Sequence, residues 1–95
     1  MAEIARTRGL ALYRELQRRH PGDFWIAMDL VQMLSPSTPG EVEEMLRFAT
    51  AAVALRPESY LARVRLGSTL GLRGKFDESI AALREAIRSA EAECG

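Results

Sequence analysis

Cysteine is nearly missing from this chain: Cys94 is the only one in 95 residues. A lone thiol excludes an internal disulfide, and with it the stapled scaffold of small secreted domains. Lysine is as scarce, with Lys75 single among thirteen basic residues that thirteen acidic ones balance. The arginine bias reads as codon usage in a GC-rich, bacterial genome. Zero formal charge leaves no global field that would draw in nucleic acid or an anionic membrane. Long hydrophobic runs are lacking too. The longest, Ala49 to Leu55 with Thr50 inside it, falls far short of the ~20 residues of a membrane span. Met1-Ala2-Glu3 lacks the basic-then-apolar layout of a signal peptide, so the expected location is the cytoplasm. No stretch alternates with the period of two that marks a strand, and the fold class expected is all-α.

Catalytic raw material is equally thin. His20 is the single histidine and precedes a proline, where a dipole or capping role is expected. Gly67, Gly71 and Gly74 follow no strand, so they form no phosphate-binding loop. The Glu41-Glu43-Glu44 and Asp77-Glu78 clusters read as first-turn carboxylates on helices rather than cation cages. Ser35-Pro36 and Thr38-Pro39 could accept a proline-directed phosphorylation, but they read first as extended loop. The expectation is a protein with no enzyme activity, no cofactor and no metal.

What is present is helical periodicity with clear punctuation. A first helix is expected from Glu3 to Arg19, with Ile4, Ala5, Gly9, Leu12 and Leu16 near one face. His20-Pro21-Gly22 stops it, because a residue before proline avoids the helical region. Asp23 is placed to cap a second helix from Phe24 to Leu34. Ser35 to Gly40, with two prolines and a glycine, reads as a loop. A third helix opens at Glu41 and ends near Arg56, and a fourth spans Glu58 to Arg73 before an expected left-handed cap at Gly74. A fifth runs from Phe76 to about Ala92.

The punctuation repeats. Pro21 and Pro57 stand 36 residues apart, each opening a similar helix–turn–helix phrase, close to the ~34-residue period of one family of helical repeats. Leu66-Gly67, Leu70, Gly74, Phe76, Ser79, Leu83 and Ala86 carry the signature, and the chain resembles a tetratricopeptide repeat protein. In that pattern Gly67 and Ser79 let two helices approach while Leu66, Leu70 and Leu83 fill the seam. The preceding unit follows through Leu30, Leu34, Gly40, Val42, Met45, Ala49, Ala52 and Pro57, with Val31 at the position of Gly67 and a loop about two residues longer than the ~34-residue unit provides. Gly9, Tyr13, Leu16 and Pro21 reproduce the second-helix spacing. The resemblance implies a single domain: a half repeat at 3–19, full repeats at 23–56 and 58–92, and five helices in a short right-handed solenoid. The phrases HPGDFW, ALRPES and LGLRGKFDESIAALREAI are also similar to repeats C-terminal to bacterial serine/threonine protein kinases.

The same resemblance implies a concave groove lined by the first helix of each pair. Its residues would be Trp25, Met28 and Gln32 from one repeat and Leu61, Val64 and Ser68 from the next. The alternative is that Trp25, Met28 and Val64 are packing residues. A clamp for carboxylate tails is disfavoured, since Asp29 would repel a carboxylate and Arg65 is the one suitable cation. Arg63, Arg65 and the arginines of the first helix read as solvated salt-bridge partners of Glu3, Glu15, Asp29 and Glu58 rather than a nucleic-acid stripe.

The expected function is therefore a protein–protein interaction module taking a peptide or partner helix. The alternative is a structural or self-association element, belonging to a larger kinase or scaffold. A polar closing helix is missing after Ile87, and short arrays need covered ends. Ile80 and Ile87 are accordingly the candidates for a homodimer contact.

Overall fold

The computed structural model describes the backbone of residues 2–94 and the side chains of residues 6–91. It contains five helices and, among the described residues, no strand: α1 Ala2–Arg19, α2 Phe24–Met33, α3 Pro39–Leu55, α4 Tyr60–Leu72 and α5 Phe76–Cys94. Extensive packing joins sequence neighbours only, α1 with α2, α2 with α3, α3 with α4 and α4 with α5. The body is elongated, 44 × 28 × 20 Å. No described helix is long and apolar enough to cross a membrane.

Local chemistry explains the boundaries. Asp23 caps α2 as expected, its carboxylate accepting from the N–H groups of Trp25 at 3.0 Å and Ile26 at 3.1 Å. Leu34 is already extended, so α2 ends one residue earlier than its apolar pattern indicates. In the other direction, α3 begins at Pro39 rather than Glu41. Proline is tolerated at a first helical position because its missing N–H would have no partner there. Pro57 and Glu58 form a turn, closed by Ser59 N–H on the Arg56 carbonyl at 3.0 Å, so α4 starts at Tyr60 rather than Glu58. The Ser59 hydroxyl then accepts from Ala62 N–H at 3.2 Å.

Gly74 has φ 77°. The N–H of Lys75 reaches the Leu70 carbonyl and that of Gly74 the Gly71 carbonyl, both at 3.0 Å, which closes α4 in a Schellman turn. His20 serves its turn through the backbone, donating to the Leu16 carbonyl and accepting from Asp23 N–H. Its exposed side chain makes no hydrogen bond among the described residues, so the capping role expected of it is not a side-chain bond.

Glu41 ties the loop to the helix after it. Its carboxylate accepts from Ser35 N–H at 3.0 Å and pairs with Arg6 of α1. The Ser35 bond first, and the Arg6 guanidinium second, hold its pKa below the ordinary carboxylate value. A carboxyl whose folded pKa is depressed adds stability above its unfolded pKa and loses it as pH falls through the folded value. Glu41→Gln is therefore expected to flatten the acid limb. Between pH 6 and pH 3 its urea midpoint should fall less than the wild-type midpoint.

Two apolar clusters hold the chain. Leu10 of α1, Leu30, Val31 and Leu34 of α2 and its C-cap, and Val42, Met45, Phe48 and Ala49 of α3 make the first. Phe24, Ala27 and Met28 of α2 with Ala52 of α3 and Ala62 of α4 make the second. The face of α1 differs from expectation. Leu10 is buried, while Leu12 is 60 % exposed. Gly9, Tyr13 and Leu16 stay on or near the packed side, and the side chains of Ile4 and Ala5 lie outside the described residues. The α4–α5 seam is tight where Gly67 and Ser79 meet. The Ser79 hydroxyl donates to the Gly67 carbonyl at 2.7 Å, and a Cβ on Gly67 would sit 2.8 Å from Leu83 Cγ.

Candidate functional site

The open faces of α2 and α4 carry most of the residues expected to line a groove. At the start of α2, Trp25 is 56 % exposed. It is nonetheless held: the Phe24 ring meets it edge-on at 5.0 Å, and the Arg56 guanidinium lies 5.5 Å from its centroid and 4.7 Å from that of Phe24. Each cation–π contact at such a site is worth about 0.5–1 kcal/mol. Arg56 is there because α3 ends beside the start of α2. A recess of about 310 Å³ opens between Gly22, Asp23, Trp25, Leu55 and Arg56. Gln32, seven residues beyond Trp25 and therefore on the same side of α2, is exposed.

Met28 lies between these two in the sequence pattern but not on the surface. Only 2 % exposed, it packs with Phe24, Ala27, Ala52 and Ala62. Its groove assignment is corrected to a core position, because it falls on the side of α2 shared with Phe24 and Ala27, which packs against Ala52 of α3 and Ala62 of α4. Leu61 is half-buried against the same cluster, so Met28 and Leu61 are brought together, though as packing. Val64 is half-buried and Ser68 exposed.

Two residues extend the surface beyond the sequence expectation. Leu72 is exposed four residues after Ser68, on the same side of α4. The Leu61, Val64, Ser68 spacing continued by one more turn identifies it. Leu72 also lines a recess of about 280 Å³ with Pro36, Pro39, Val42 and Arg73. Arg56, the second, carries no sequence signal beyond its place before Pro57.

Electrostatics on these faces is modest. Asp29 is turned to α1, where its carboxylate charge, and the hydrogen bond it accepts from Tyr13, raise the tyrosine pKa. The arginines are largely engaged: Arg14 with Glu44 at 2.7 Å, Arg18 and Arg19 with Glu15, and Arg73 with Glu43. Arg63 donates to the Pro57 carbonyl at 2.7 Å. Their partners thus include Glu41, Glu43 and Glu44 of α3, reached by tertiary packing. Glu3, an expected partner, lies outside the described side chains. Arg65 Nε is shielded from solvent and has no hydrogen-bond partner among the described residues. No group of three or more His, Cys, Asp or Glu side chains converges among the described residues.

The self-association candidates lie on α5. Ile80 and Ile87 are exposed, with Phe76 on the same face, and Cys94 lies outside the described side chains. No protein-family model matches the chain, and no curated protein matches it.

Proposed function

We propose that this chain is a non-enzymatic protein–protein interaction module, built from tetratricopeptide-like helix–turn–helix repeats, that takes an extended peptide or partner helix on the open faces of α2 and α4. Trp25 is the observation that carries the reading. A large aromatic ring left in solvent, yet fixed by Phe24 and Arg56 beside a recess, is the type of anchor that dominates binding energy at protein interfaces. Gln32 and Ser68 supply polar contacts, and Leu61, Val64 and Leu72 supply apolar area. Met28, a core residue, is left out of the ligand-facing set. The tight α4–α5 seam at Gly67 and Ser79 is the packing that a repeat of this kind uses. The likeness to repeats beside bacterial kinases makes a place within a longer scaffold part of the same reading.

Trp25 is the only tryptophan, so its fluorescence reports on the proposed site directly. A peptide selected from a random library is expected to shift that emission on titration. Trp25→Ala should then weaken binding, followed by calorimetry, by about 2 kcal/mol or more, roughly 30-fold in Kd. An unchanged Kd in a variant with wild-type circular dichroism would remove Trp25 from the site.

A further inference from the structure

A second face of the molecule has its own logic, independent of the α2–α4 surface. On α5, Phe76 is 67 % exposed, and Ile80 and Ile87 are exposed beside it. At about 100° per residue the three fall within about 40° of one another, a continuous apolar stripe. Extensive packing of α5 is with α4 alone, and its inward face is taken by Ser79, Leu83 and Ala86. The stripe borders that inward face and stays exposed at Phe76, Ile80 and Ile87 over three turns.

Charge along its edge is unusual. Asp77 and Arg84 are both exposed, and neither forms an ion pair or hydrogen bond among the described residues. Their neighbours are matched locally, Lys75 just before the helix with Glu78 and Arg88 with Glu85 inside it. On an ideal helix Asp77 and Arg84 lie on the same flank of the stripe, about 60–80° from its centre and about 10 Å apart along the axis. Two opposite, unmatched charges on one flank are self-complementary under one operation. A two-fold axis through the flank between residues 80 and 81 sets Asp77 opposite Arg84 of an antiparallel copy, and Arg84 opposite its Asp77.

We propose that the α5 face takes a second copy of this chain in an antiparallel, two-fold pairing. Ile80 meets its own equivalent at the centre. Phe76 reaches the Ile87 end of the partner helix, and the two Asp77–Arg84 pairs fix the register. Such an interface is isologous and closes at two copies. The charges select the register, while the apolar stripe supplies most of the association free energy.

The test is absolute mass by light scattering across a dilution series, on the whole 95-residue chain and four variants. The wild type is expected to pass from dimer to monomer on dilution. Ile80→Glu should give a monomer with unchanged circular dichroism, since it places two like charges at the centre. Asp77→Arg or Arg84→Asp alone should each weaken the dimer about tenfold, because each replaces two attractions by two repulsions. The double variant carrying both swaps should return the dimer to within a few-fold of wild type. That rescue distinguishes this pairing from unspecific apolar association. Monomer throughout the wild-type series overturns the proposal and leaves the stripe to another occupant, such as a further helix of a longer chain. Assemblies growing beyond two copies overturn the two-fold pairing. A dimer without rescue by the double swap overturns the register.

Discussion

Leu30→Ala is expected to destabilise the protein by about 2–5 kcal/mol. Leu30 is fully buried at the junction of three helices, packed with Leu10 of α1 and Met45 and Phe48 of α3. Removing its isobutyl group loses transfer free energy and leaves a cavity that three separate backbones would have to move to fill. A chain of 95 residues has a total stability of about 5–14 kcal/mol. The loss is therefore a large share of the whole, and a urea titration should show it as a large fall in midpoint. Leu12→Ala is the control. Leu12, a leucine of α1, stands in solvent, and its truncation should change stability by less than about 0.5 kcal/mol. Equal losses at the two positions would mean that α1 packs by a different face.

Gly67→Val tests the α4–α5 seam. The first atom added would stand 2.8 Å from Leu83 Cγ and 2.9 Å from Leu83 Cδ2, with the Leu83 backbone nitrogen at 3.4 Å. A small gain in helix propensity over glycine is opposed by overpacking of about 1–3 kcal/mol. The helices would also have to part at the Ser79–Gly67 hydrogen bond. A net loss of about 2 kcal/mol corresponds to a fall in Tm of about 8–16 °C for a domain this small. Leu83→Ala makes room for the new side chain, so Gly67→Val should cost less in that background than in the wild type. Additive costs would mean that Leu83 is not what the valine meets.

These two positions differ in how openly the sequence displays them. Gly67 is legible because close approach demands a residue without Cβ, and the pattern Leu66-Gly67 with Ser79 twelve residues on announces it. The helix breaks are legible for the same local reason. Asp23 caps, the prolines interrupt and Gly74 turns the chain through a positive φ, each through its own backbone chemistry. The start of α3 moved where a second local rule competed, at Pro39, which the first turn of a helix accepts.

The candidate site was legible in part. Spacing puts Trp25, Met28 and Gln32 on one arc of α2, but an arc says nothing of what packs against its edge. Met28 is covered because it falls on the side of α2 shared with Phe24 and Ala27, where Ala52 and Ala62 pack, and Trp25 is open because it stands about a quarter turn off that side. Arg56 reaches Phe24 and Trp25 from the end of α3, about thirty residues away, and no periodicity within α2 encodes that contact.

The sequence by itself determined an all-helical chain, its five helices, its stops and the one tight crossing at Gly67. Those rest on backbone preferences and on spacing within single helices, which operate over a few residues. The tertiary structure alone decided that Leu10 rather than Leu12 enters the core, that Met28 is buried while Trp25 stays exposed, and that Arg6 and Arg14 find Glu41 and Glu44. Burial and ion pairing depend on which other helix lies across a given arc. That is fixed by the packing of side chains distant in sequence, where no local rule reaches.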